Sequence, residues 1–79
     1  MLTDISIRQA KAKDKPYKMG DSGGLYLLVK PIGKYWRMDY RYAGKRKTLS
    51  IGVYPTVSLV DARKKRDDAK DQLSNDIDP

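Results

Sequence analysis

Arg37, Asp39 and Arg41 alternate along the chain with Trp36, Met38, Tyr40 and Tyr42. In an extended backbone successive side chains point to opposite faces, so this spacing sets a charged row against an apolar one. Arginine carries a permanent charge on a planar fork of donors, and a carboxylate accepts hydrogen bonds. Such a row suits the recognition of anions and hydrogen-bonding edges. Lys30 precedes it, and Lys45, Arg46, Lys47, Thr48 and Ser50 follow closely. From Lys30 to Lys47 the only acid is Asp39.

Bond-making chemistry is poorly served. The chain has no histidine and no cysteine, which removes the usual general base, the commonest zinc ligand and any thiolate. Asp67, Asp68 and Asp71 lie among lysines and read as a solvated helix face. No metal and no other cofactor is expected. Gly23-Gly24 lacks the spacing and the following helix of a nucleotide-binding loop and reads as a turn.

The 79 residues make one small domain, and with 39% hydrophobic and 34% charged residues it folds around a thin core. No apolar run approaches the roughly 20 residues of a membrane span, so no membrane partner is expected. The net charge is +7 and it is uneven: twelve basic and four acidic residues precede Thr56, against five and six after it. Charge concentrated in this way points to a polyanion.

The elements that must position the row can be read from pattern. Thr3-Asp4 with Leu2, Ile7 and Ala10 predicts a short helix over roughly residues 4–11, ended by Lys13–Lys15 and Pro16. Leu25–Lys30, Tyr35–Tyr42 and Lys45–Val53 read as strands, with a tight turn at Ala43-Gly44 and a four-residue loop at Pro31–Lys34. Ser58, with Asp61 three residues on, caps a last helix that runs to about Leu73, with Leu59, Ala62, Ala69 and Leu73 on one stripe. The expected fold class is α+β: a three-stranded antiparallel sheet with a short N-terminal helix and a C-terminal helix packed on one face. Residues 1–74 form the domain, and residues 75–79 read as the start of a linker.

Parity then sorts the faces. The Ala43-Gly44 turn opposes Met38 to Leu49 and Trp36 to Ile51 on the apolar side, and Arg41 to Arg46, Asp39 to Thr48 and Arg37 to Ser50 on the other. The longer loop opposes Val29 to Trp36, Leu27 to Met38 and Tyr26 to Asp39. Two like charges facing each other are unfavourable on a sheet; either an anion seated there removes the conflict, or the long side chains splay into water and Asp39 neutralises Arg37 or Arg41.

Duplex DNA fits the dimensions. Three strands about 4.8 Å apart make a ribbon roughly 10 Å across, and the major groove, about 12 Å wide, admits strand ribbons. Side chains two apart lie about 6.6–6.8 Å from each other, close to two base-pair steps. Arginine suits guanine and aspartate accepts from cytosine N4. Thr48 and Ser50 suit base edges or phosphates, and Lys30, Lys45, Arg46 and Lys47 suit the backbone. Tyr26 points outward, as a DNA contact or as a half-buried edge residue. Leu28 shares its side, toward a thymine methyl or under a terminal segment. Arg63 and Lys64 reach a phosphate or belong to a solvated helix face.

These residues, taken in order, carry a resemblance. Leu2-Thr3-Asp4, Ile7, Ala10-Lys11, Asp14-Lys15-Pro16-Tyr17, Asp21, Gly23–Val29, Trp36, Arg41-Tyr42, Gly44–Lys47, Leu49–Pro55, Ser58-Leu59, Ala62-Arg63 and Asp78-Pro79 resemble the N-terminal arm-type DNA-binding domain of tyrosine recombinases. These are the integrases of temperate phages and genomic islands. The resemblance implies sequence-specific binding of double-stranded DNA at short repeated arm sites, with a sheet in the major groove and a helix behind it. It also implies core-binding and catalytic domains beyond residue 79, partnership with them and with accessory DNA-bending proteins, and a cytoplasmic, nucleoid-associated location in bacteria. The chain itself is then non-catalytic: family catalysis sets a tyrosine among Arg and His residues, and none of the six tyrosines here has a histidine partner. Met38 and Asp39 stand where relatives vary, so base preference does not follow from the family.

Two other readings use the same residues. An RNA or single-strand binder stacks bases on exposed sheet aromatics, whereas parity turns Trp36, Tyr40 and Tyr42 inward. A protein-interaction module regulating the recombinase uses the last helix.

Overall fold

The computed structural model describes residues 1–79, along which six elements follow one another: α1 (Asp4–Gln9), β1 (Tyr17–Gly20), β2 (Leu25–Lys30), β3 (Gly33–Tyr42), β4 (Lys45–Tyr54) and α2 (Leu59–Ser74). The four strands form one antiparallel sheet in the order β1-β2-β3-β4, so β1 and β4 are its edges. The expected three-stranded sheet is therefore corrected to four strands, with a helix at each end of the chain. The additional strand is Tyr17–Gly20, which pairs with β2 from Tyr17↔Val29 to Gly20↔Tyr26. Its four residues follow Pro16 and close on glycine, too short a run for alternation to register. What holds it extended is the ladder to β2 and the packing of Tyr17 and Met19 against the core.

Trp36 anchors that core. It is fully buried, and its indole N–H donates to the Val57 carbonyl at 2.7 Å. Around it on one side of the sheet lie Leu25, Leu27 and Val29 of β2, Met38 of β3 and Ile51 of β4. Leu59, Ala62 and Ala69 of α2 complete the layer with Leu2 and Ile7. The two alanines let α2 lie close to the strands. Its N-terminus is held by Ser58, whose hydroxyl accepts the Asp61 amide at 3.2 Å, and α1 opens with a reciprocal Thr3–Ser6 capping box. α1 stops at Gln9, two residues earlier than the pattern suggested.

Register matters because it decides which side chains face outward. The β3–β4 hairpin turns at Ala43 (φ 51°) and Gly44 (φ 77°), the positive-φ pair that suits the twist of tight hairpins. Its register agrees with the expectation from Tyr42↔Lys45 to Arg37↔Ser50. Beyond that a β-bulge intervenes, and Trp36 meets Gly52 instead of Ile51. Both bulge residues lie on the helix side, where Gly52 has no room for a side chain: a Cβ there would lie 2.4 Å from Val57 Cγ2. The β2–β3 connection is a two-residue turn, Pro31-Ile32, in place of the expected four-residue loop. It sets Lys30 against Gly33, Leu27 against Trp36 and Tyr26 against Arg37. The slip is two residues, so every side chain keeps its face.

Residues 75–79 turn back onto the helix side. The Tyr42 hydroxyl donates to the Asp76 carbonyl at 3.2 Å, the Tyr40 hydroxyl donates to Asp78 at 2.7 Å, and Lys47 pairs with the same carboxylate. That pairing pulls the Asp78 carboxyl below its ordinary range and raises Lys47.

Candidate nucleic-acid interface

The face turned away from the helices is a small lattice. One row across the strands runs Lys18, Leu28, Tyr35, Val53, and the next runs Tyr26, Arg37, Ser50. Asp39 beside Thr48 and then Arg41 beside Arg46 complete it, on two strands only. β2 stops pairing at Leu25↔Met38, so the segment from Asp39 to Thr48 projects as a two-stranded ribbon. Four strands span about 14 Å, wider than the major groove, but a two-stranded ribbon enters it easily. The ribbon carries the Arg41–Arg46 pair, both exposed.

The decisive electrostatic contrast lies between two sets of arginines. Arg37, Arg41 and Arg46 on the sheet face form no ion pair and donate no side-chain hydrogen bond within the chain. Arg63 and Arg66 on α2 are tied down. Arg63 grips Asp21 with Nε and Nη2, each at 3.0 Å, and Arg66 Nη1 reaches the same carboxylate at 3.2 Å. The Asp21 side chain has no exposed surface, and the paired Arg63 guanidinium holds its carboxyl at about 2, well below the ordinary 3.8. The open question over Arg63 is thus resolved: it fastens α2 to the β1–β2 turn.

Asp39 does not neutralise its arginine neighbours. Its Oδ1 accepts from the Thr48 hydroxyl at 2.8 Å and from the Tyr26 hydroxyl at 3.3 Å, while Oδ2 makes no hydrogen bond in the chain. Tyr26 is outward-facing yet only 8% exposed, with Lys18 Nζ 4.8 Å from its ring centroid. Burial, and then the Asp39 charge, raise the Tyr26 phenol above its usual value, so it remains a donor at neutral pH. Leu28 is equally covered, and Lys30 Nζ sits 5.5 Å from the Tyr35 ring centroid. The aromatic half of this face is thus overlaid by lysine stems and ammonium groups, and the ribbon half offers open arginines, Thr48 and Ser50.

Of the ten positions singled out from sequence, eight share this outward face: Tyr26, Lys30, Arg37, Asp39, Arg41, Arg46, Thr48 and Ser50. Lys45 and Lys47 have the parity of Leu49 and point to the helix side, where Lys47 is engaged by Asp78. Two outward residues escaped the sequence reading. Lys18 belongs to the missed edge strand, whose only trace was the alternation Tyr17-Lys18-Met19. Val53 is turned outward by the bulge at Ile51 and is 45% exposed.

The Arm DNA-binding domain family matches residues 2–79, and the chain belongs to that family. It is 55% identical over 81 residues to an integrase of Enterobacteria phage P4, covering 99% of this chain and 18% of that protein. An integrase of Shigella phage Sf6 is 45% identical over 80 residues, covering 100% of this chain and 21% of the relative. A prophage integrase of Escherichia coli K12 matches with the same identity and coverage. The chain therefore spans about a fifth of the length of these relatives, and the part it matches is the arm DNA-binding domain.

Proposed function

We propose that this chain binds duplex DNA sequence-specifically at arm-type sites, laying the outward face of its sheet, ribbon foremost, into the major groove. It does so as the non-catalytic arm domain of an integrase for site-specific recombination, a tyrosine recombinase. Residues 1–74 are the binding unit, and residues 75–79 lead toward core-binding and catalytic domains. Those domains and accessory DNA-bending proteins are its further partners, and the bacterial cytoplasm, at the nucleoid, is its location. No helix is long and apolar enough to cross a membrane.

The observation that carries this reading is the set of three arginines left without counterions on one face, while those of α2 are paired. A folded domain that pairs both arginines of α2 internally and leaves Arg41 opposite Arg46 presents a surface made for an external anion. The single-strand and RNA reading is disfavoured by the aromatics: Trp36 is enclosed, and Tyr40 and Tyr42 bind the chain's own C-terminal residues.

Binding to a labelled arm-site duplex, measured across a salt series, tests the proposal. With about five phosphates contacted, log K is expected to fall against log salt with a slope of about −4 to −5. A scrambled duplex is expected to bind at least a hundredfold more weakly. Equal affinity for both duplexes, or tighter binding to single strands, contradicts the proposal.

A further inference from the structure

We propose that Asp39 reads a cytosine amino group through its Oδ2, and that Tyr26 and Thr48 are positioning residues that hold it in place to do so. This rests on the major-groove reading above and adds a base identity to it. Asp39 sits on the ribbon where β2 ends, with Arg37 and Arg41 one row away on either side. A half-buried carboxylate between two arginines ordinarily closes an ion pair. Here neither arginine pairs with it. Instead two hydroxyl donors, one from each neighbouring strand, converge on Oδ1 and orient the carboxylate group. The backbone is fixed as well: the Asp39 N–H donates to the Gly24 carbonyl at 3.0 Å. At Gly24 (φ 85°) a Cβ would lie 2.5 Å from the Asp39 carbonyl oxygen. Oδ2 is left as an oriented acceptor with no partner in the chain.

An acceptor that bears a full negative charge is selective in a groove crowded with other acceptors. Guanine offers N7 and O6, thymine offers O4, and adenine sets N7 beside its amino group, whereas cytosine offers the N4 amino donor alone. Asp39 therefore favours cytosine chiefly by penalising the alternatives, which is how specificity commonly arises. The flanking arginines favour guanine on the same reasoning. The row thus reads as donor fork, charged acceptor, donor fork.

Selection of bound duplexes from a randomised pool, carried out with the wild-type chain and with variants, tests this. Wild type is expected to enrich a motif with cytosine at one position, favoured over the other bases roughly tenfold to hundredfold. D39N keeps its oxygen on Tyr26 and Thr48 and sets an amino donor where Oδ2 stood, so that single position is expected to lose cytosine in favour of bases that present acceptors there. D39A is expected to erase preference there and leave the rest of the motif intact. Y26F and T48V are expected to retain cytosine with reduced discrimination at that position alone; a merely structural role would lower affinity for all duplexes alike. A motif identical in wild type and D39N overturns the proposal while leaving sequence-specific duplex binding standing. Failure of the wild-type chain to enrich any motif overturns both.

Discussion

Replacing Asp21 with alanine is expected to remove about 3–5 kcal/mol of folding stability, the usual cost of stripping one partner from a buried ion pair. For a domain of this size the whole stability is about 4–12 kcal/mol, so the variant is largely unfolded on modest warming. The reason is the number of parts that one carboxylate joins. Asp21 accepts from the Leu2 amide at 3.0 Å as well as from Arg63 and Arg66, which tie the N-terminus, the β1–β2 turn and α2 together. Arg63 Nη2 also donates to the Leu2 carbonyl at 2.9 Å, and Arg66 Nη1 to Ser22 at about the same reach. Without the carboxylate Arg63 remains in a crowded site with no ion-pair partner, and Arg66 keeps only Asp67. The same cluster sets the acid behaviour. Because the folded-state pKa of about 2 lies below the ordinary 3.8, the ionised pair contributes fully above about pH 4. That contribution, about 2 kcal/mol, is lost as pH falls toward 2. Urea denaturation of wild type and D21N at several pH values checks this: the slope between pH 4 and pH 2 is expected to flatten in D21N.

The second large effect concerns binding and carries a stability signature of opposite sign. R41A is expected to weaken the specific complex roughly tenfold to hundredfold, and R37A with R41A together roughly a hundredfold to ten-thousandfold. Yet R41A is expected to leave the free domain at least as stable as wild type, because it removes one of two like charges that face each other across β3 and β4. Few purely structural residues behave in this way. R63A serves as the contrast, since Arg63 is equally basic but bound to Asp21; its substitution destabilises the fold. Parallel measurement of duplex affinity and thermal midpoint separates the two classes. Loss of stability in R41A matching its loss of binding would mean that Arg41 supports the fold.

Much of this is legible in the sequence. Alternation through Trp36, Met38 and Tyr40 assigned the inner and outer faces of β3. The Ala43-Gly44 turn fixed the pairing that brings Arg37, Asp39 and Arg41 beside Ser50, Thr48 and Arg46. Ser58 marked the start of α2. What escaped were features whose cause lies far away in the chain. β1 is extended because β2 is beside it, and the brief alternation Tyr17-Lys18-Met19 is too short to announce that. The Pro31-Ile32 turn shifts register by two residues, a change that hydrophobic pattern alone does not distinguish because parity is unchanged. The bulge at Ile51 reverses the facing of Val53, and its cause is the packing of Val57 against Gly52, a contact no local pattern shows. Asp21 stands beside the Gly23-Gly24 turn, but its partners lie 42 and 45 residues onward, and no spacing rule joins them. Lys47 counted among the basic cluster by composition, yet Asp78 engages it from the opposite face.

The outward face of the sheet as the DNA-binding surface is tested most directly by amide and side-chain chemical-shift mapping of the labelled domain on an arm-site duplex. The expected perturbations fall on Arg37, Asp39, Arg41, Arg46, Thr48 and Ser50, with the guanidinium signals of Arg63 and Arg66 unmoved. Perturbations confined to α2, with the sheet arginines unchanged, would contradict it.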